Sequence, residues 1–213
     1  MSKVVNTAFR NDEDLAISLL KNTRAGVSDQ TIHLAVYGGH LVLTSLLIRS
    51  GANIDARDVH LNDTILHVAA QRGDLCMATL LVTLGADVNA RNDFGTTPLH
   101  KAAYEGHKDV VALLIAYNAE VDPVNDNKRT PLHEASEGGY VDIVELLIKQ
   151  GADINANNVI NRTPLIESSD GGHVDVAKLL IEAGADVQVE DEYKRTALHQ
   201  ASRSVLPTLV FLN

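Results

Sequence analysis

Thr64-Ile65-Leu66-His67, Thr97-Pro98-Leu99-His100, Thr130-Pro131-Leu132-His133, Thr163-Pro164-Leu165-Ile166 and Thr196-Ala197-Leu198-His199 begin at steps of 33 residues. A period of that length commits the chain to stacking copies of one supersecondary unit, because a single unit cannot bury its own apolar face. The same step separates Gly73, Gly106, Gly139 and Gly172, and twelve residues after each stands Gly85, Asn118, Gly151 or Gly184. An upstream copy, Ile32-His33-Leu34-Ala35 with Gly39 and Gly51, lies 34 residues before its counterpart. One extra residue therefore falls in the segment Asp55 to Asp63.

Each unit reads as helix, turn, helix and hairpin. Thr97 offers a side-chain oxygen to the free amides of a helix start, and Pro98 takes the first helical position, where a missing N–H costs nothing. Ala102 and Ala103 let that helix approach its neighbours closely, and Gly106 permits the left-handed backbone of a tight reversal. A second helix, Asp109-Val110-Val111-Ala112-Leu113-Leu114-Ile115, follows with an acid at the end of the helix dipole that favours it. Asp142 and Asp175 repeat the choice. Gly85, Gly151 and Gly184 end the second helices, Asn118 stands in as the next best left-handed residue, and the chain then enters a hairpin. Aromatic residues are only 4% and tryptophan is absent, so alanine and leucine must fill the core.

The signature and the period together resemble the ankyrin repeat family, over nearly everything from about residue 29 onward. The resemblance implies an all-α repeat solenoid, an elongated and curved stack of helix-turn-helix units joined by β-hairpin loops, in a single domain without a cofactor. Residues 1–28 form an N-terminal capping unit in this reading, with short helices within Val4 to Lys21. Five complete repeats span 29–191, and 192–213 make an incomplete C-terminal capping repeat. The last unit has Val205 where a turn glycine is expected and ends in the apolar run Val205 to Leu212. Two readings stand: the tail folds back as a shortened helix beginning at Pro207, or the chain is a piece of a longer protein.

Composition excludes several classes. No apolar run approaches the roughly 18 residues of a membrane span, and the N-terminus lacks the apolar core of a signal peptide. Cys76 is the single cysteine, which fits a reducing compartment. The expected location is therefore cytoplasmic or nuclear. Net charge is −10, with 12 acids and 10 bases in residues 1–118 against 16 acids and 8 bases in residues 119–213. That balance repels phosphate and disfavours nucleic acid as a partner.

The period also removes apparent chemistry. His67, His100, His133 and His199 recur once per unit, a spacing from which ligands cannot converge on one metal. They read as hydrogen-bonding residues beside helix starts, and His107 and His173, after the turn glycines, are structural as well. Gly138-Gly139 and Gly171-Gly172 lack the strand and fingerprint of a phosphate loop. Ser168 and Ser169 replace the usual alanine pair with no adjacent base, so they mark a weakly packed unit rather than a nucleophile. No catalytic residue and no metal site is nominated, and an enzyme is not expected.

Function then belongs to the positions the fold leaves free, which the resemblance places at the hairpin tips and on the exposed, concave face of each first helix. Three residues before the signature threonines stand Leu61, Phe94, Asn127, Ile160 and Tyr193, four of them large and apolar. They either form a partner-binding strip, with Val159 beside Ile160, or fold down within the stack. Directly before the threonines, Arg129, Arg162 and Arg195 form a ladder beside Glu134, Glu137, Glu167 and Asp170. These charges either satisfy one another or leave the arginines to clasp a partner's carboxylates. Tyr37 and Tyr104 share one position and are expected to point into the groove as anchors. The chain is thus expected to be a monomeric, non-catalytic scaffold or adaptor for a protein partner, with the acidic half steering a basic segment. The alternative is a targeting fragment of a larger enzyme or effector whose catalytic part lies beyond Asn213.

Overall fold

A computed structural model describes residues 28–210. The expected cap within Val4 to Lys21 lies outside the described residues. Among those described, eleven helices alternate as inner and outer members of successive units. The inner helices are α1 (Asp29–Tyr37), α3 (Ile65–Gln71), α5 (Pro98–Tyr104), α7 (Pro131–Gly138), α9 (Pro164–Asp170) and α11 (Ala197–Val210). The outer ones are α2 (Leu41–Arg49), α4 (Leu75–Thr83), α6 (Lys108–Ala116), α8 (Val141–Lys149) and α10 (Val174–Glu182). Inner helices pack on inner helices and outer on outer, so each unit touches only its neighbours.

The signature acts where its chemistry requires. Thr64 and Thr97 hold extended backbone and accept the amides of His67 and His100, with proline at the helix start in α5, α7 and α9. Four of the five signature leucines are sealed: Leu66, Leu99, Leu132 and Leu165 are at most 1% exposed, while Leu198 of the last unit is 78% exposed. Ala69, Ala70, Ala102 and Ala103 are fully buried between inner helices, where a larger side chain would force them apart. Leu81, Leu114, Leu147 and Leu180 do the same work in the outer layer, each at 0% exposure. Burial of one such leucine stabilises by about 1.5–3 kcal/mol, and the layer repeats it in every unit.

The histidines tie unit to unit. The backbone N–H of Thr97 donates to His100 Nδ1 at 3.2 Å, which leaves the ring proton on Nε2, and Nε2 donates to the Arg129 carbonyl at 2.9 Å. His67 reaches the Thr96 carbonyl and His133 the Arg162 carbonyl in the same way. Burial pushes His100 and His133 down to about 4, so both are neutral at neutral pH. His107, His173 and Tyr140 work differently, lying across the turn glycine of the unit before. A Cβ on Gly106, at φ +78°, would meet the Tyr140 ring at 2.4 Å. His107 and His173 also reach back to the carbonyls of Gln71 and Glu137.

The connecting hairpins form no strands among the described residues, where the one bridge is Arg57 with Thr64. The tips from Asn92 onward are each closed by two backbone bonds that share one residue, such as Asn92 N–H to the Thr96 carbonyl and Gly95 N–H to the Asn92 carbonyl, a turn too short for a ladder. The tips then stack through the backbone: Leu61, Phe94, Asn127 and Ile160 each accept an N–H from the next loop. The extra residue lies in the first tip, where Asp58 bonds to Asp63 across five positions instead of four.

The last unit corrects one expectation. The helix α11 runs from Ala197 to Val210 without a reversal, so Pro207 begins no separate helix. With Val205 in the glycine place there is no left-handed turn, and among the described residues α11 is the last helix. Between α9, α10 and α11 lies an apolar cleft of about 440 Å³, walled by Leu165, Val174, Ala177, Ile181 and Leu198. Ser168 and Ser169 line it, but both hydroxyls donate to the Leu165 carbonyl within their own helix.

Candidate partner-binding surface

Three places of each unit share one face of the inner helices: the residue before the signature threonine, and those four and seven after it. In chain order the first place holds Asp63, Thr96, Arg129, Arg162 and Arg195. The second holds Leu34, Val68, Lys101, Glu134, Glu167 and Gln200, and the third Tyr37, Gln71, Tyr104, Glu137, Asp170 and Arg203.

From Arg129 onward these places form a closed ionic network. Arg129 donates to both carboxylate oxygens of Glu134, at 3.1 and 3.0 Å, to Glu137, and at 2.6 Å to Glu167 in the next unit. Arg162 binds Glu167 at 2.9 Å and Asp170 at 2.6 Å. With its amide turned so that the oxygen meets the guanidinium, Gln200 accepts from Arg162 at 2.9 Å. Arg195 turns to the buried Asp191, at 3.0 and 2.9 Å, and lays its guanidinium over the Tyr193 ring at 4.5 Å. Burial raises Glu134 and Glu167 above the usual carboxylate range against the pull of their arginines. Burial would lower Arg129, but the surrounding glutamates raise it on balance. Of the ladder residues nominated as binding groups, Arg129, Arg162 and Arg195 are thus engaged within the stack. Glu137 and Asp170 are paired but half open to water, with side chains 51% and 46% exposed.

The first units present a different face. Tyr37 is 66% and Tyr104 57% exposed, with Arg72 lying 5.5 Å from the Tyr37 ring centre. Leu34 and Val59, which the sequence reading did not single out, are 72% and 74% exposed beside them. The only signal for Val59 was the extra residue in its loop, and Leu34 stood in the signature as an ordinary apolar letter. The ionic pair here is inverted: Asp63, almost fully buried, holds Lys101 at 3.1 Å and accepts from Asn92.

The tip row is uneven. Phe94 and Tyr193 project into solvent, Leu61 stands at the border of exposure, and Ile160 is half-buried beside an exposed Val159. The carbonyls of Leu61, Phe94 and Ile160 accept from the next loop, while the side chains of Phe94 and Tyr193 stand in water. Among the described residues no group of three or more His, Cys, Asp or Glu is arranged for a metal, and no helix is long and apolar enough to cross a membrane. The sequence profile of the ankyrin repeats matches the chain three times, over residues 5–92, 66–158 and 156–210. No curated protein matches it.

Proposed function

Because the chain belongs to the ankyrin repeat family, whose repeats generally serve protein–protein interaction, we propose that it is a non-catalytic scaffold holding a protein partner along the inner-helix face and hairpin tips of its first units. The observation that carries this reading is the row of large apolar side chains left in water at Leu34, Tyr37, Val59, Phe94 and Tyr104. Such residues supply contact area at low entropic cost, and a pre-formed stack loses little freedom on binding. An interface of standard size, about 800 Å² per partner, would occupy several neighbouring units. The second half contributes long-range attraction rather than anchors, since its arginines are occupied and its open carboxylates favour a basic segment. The protein acts as a monomer in the cytosol or nucleus on this reading.

The test is retention of a partner by the full chain and by a variant carrying Leu61→Ser, Phe94→Ser, Ile160→Ser and Tyr193→Ser, with a second variant carrying Tyr37→Ser and Tyr104→Ser. Loss in either variant at unchanged helicity supports the scaffold and says which row it uses. Retention by both, or association that is indifferent to salt across a screening length near 8 Å, contradicts the reading and its steering component respectively.

A further inference from the structure

The ionic ladder has a rule and one vacancy. The residue before each signature threonine reaches the residue four past the threonine of the next unit. Asp63 reaches Lys101 at 3.1 Å, Arg129 reaches Glu167 at 2.6 Å, and Arg162 reaches Gln200 at 2.9 Å. Between them the rung from position 96 to Glu134 is missing, because Thr96 is too short to cross. A cleft of about 240 Å³ opens at that point, walled by Gln71, Thr96, Lys101, Tyr104, Glu105 and Glu134.

The geometry points to this cleft as a socket for an arginine side chain of the protein partner, which would supply the absent rung. The claim rests on the scaffold reading above and adds the residue type that the groove selects. Glu134 is only 8% exposed, and Arg129 grips its carboxylate from one side, which leaves lone pairs for a second guanidinium, as Glu167 accepts one donor each from Arg129 and Arg162. Tyr104 flanks the opening with an exposed ring, the kind of surface on which a guanidinium stacks and on which Arg72 and Arg195 already do so elsewhere in the stack. Glu105 adds an open carboxylate at the rim. The cation on the wall, Lys101, has its charge met by buried Asp63, and His100 beneath it is neutral at neutral pH. A carboxylate entering the same cleft would face Glu105 and Glu134 together. The neighbouring apolar side chains, Tyr37 and Leu34 before the cleft and Phe94 at the tip, fit a segment that carries aliphatic or aromatic residues beside its arginine.

The experiment is selection of random twelve-residue peptides against the full chain, followed by affinity measurement of the enriched peptides on three variants. The wild type should enrich peptides with an arginine at one fixed position, and its replacement by glutamine should weaken binding about tenfold or more, the loss of a charge-assisted contact. Thr96→Arg fills the cleft from within and should weaken those peptides about as much. Thr96→Val leaves the cleft open and should not. Tyr104→Ser, at an exposed site, should weaken them without changing helicity. Enriched peptides that lack a fixed arginine but still depend on Tyr37 or Tyr104 overturn the socket and leave the scaffold standing. The absence of any enriched peptide overturns both. Unchanged binding by Thr96→Arg, or failure of that variant to fold, shows that the cleft does not take a guanidinium and overturns the proposal.

Discussion

Tyr104 and Glu137 occupy the same place in successive units, yet Glu137 is bound by Arg129 of its own stack while Tyr104 stands 57% exposed. Position by position, the units from Arg129 to Gln200 fill their inner-helix face with charges that meet one another, and the units from Leu34 to Tyr104 hold the one pair Asp63 with Lys101 and leave Leu34, Tyr37 and Tyr104 in water. The scaffold is common to both halves in its leucine layers, while in the second half Ser136, Ser168 and Ser169 stand at alanine places and Ile166 at a histidine place, all buried. The difference therefore lies mainly in the free positions, where one fold meets its own charges at one end and leaves apolar side chains in water at the other.

The sharpest way to break the comparison is to empty the closed half. Glu167→Ala removes the carboxylate that holds Arg129, Arg162 and the Asn158 amide, leaving two part-buried arginines short of a partner. A loss of about 3 kcal/mol is expected from denaturant unfolding, the cost of leaving part-buried charged donors short of one acceptor while Arg129 keeps Glu134 and Glu137 and Arg162 keeps Asp170. A loss below about 1 kcal/mol would mean the network is solvated and the two halves are not different in kind.

His100→Ala tests what the halves share. It deletes a helix cap and leaves the Arg129 carbonyl without its donor, so a loss of about 2–3 kcal/mol is expected. His67→Ala and His133→Ala should cost similar amounts, because the bond recurs on both sides of the divide.

Acidification comes next in size. His100 and His133 titrate near 4 when folded against about 6.5 unfolded, so the unfolded chain binds more protons between those values. Their stabilising effect is complete above pH 6.5 and is lost as pH falls toward 4, on the order of 1–2 kcal/mol each by pH 5. Asp58 and Asp191, whose folded values are lowered, lose stability in the same direction at lower pH. Glu134 and Glu167 act oppositely, since their folded values are raised and protonation relieves a burial penalty. Unfolding midpoints measured at pH 7, 6 and 5 should therefore fall, and Glu134→Gln should steepen the fall by removing the opposing group. A midpoint that rises with acid would reverse the assignment of neutral histidines.

The smallest expected effect is on the open face. Tyr104→Ser and Tyr37→Ser should each change stability by no more than about 0.5 kcal/mol, as surface substitutions do. A loss of about 2 kcal/mol from either would show that the tyrosine belongs to the stack.

Much of this arrangement could be read in the sequence because its causes are local. Thr97 with Pro98 starts a helix and Gly106 reverses the chain whatever lies around them, so unit, period and helix order followed directly. The hairpins were legible as turns but not as strandless loops, since that depends on how many backbone bonds form between two arms. The charges of the ladder were visible, and so was their ability to satisfy one another. What was hidden was the register between units: that Arg129 reaches Glu167, that Asp63 and Lys101 form an inverted rung, and that Thr96 leaves one out. Such contacts join residues 38 positions apart and are set by how one unit docks on the next, which no local rule supplies. Val205 was recognised as a departure from the pattern, but whether the chain turns or continues there depends on the whole last unit.

The central claim is that binding belongs to the open half and self-pairing to the closed one. Its most direct test is a residue-resolved chemical-shift map of the full chain on adding a peptide enriched by it. The account predicts shifts gathered on Leu34, Tyr37, Thr96, Lys101, Tyr104 and Glu134, with Glu167, Asp170 and Arg195 unmoved. Shifts centred on Glu167, Asp170 and Arg195, with Tyr37 and Tyr104 unmoved, would contradict it.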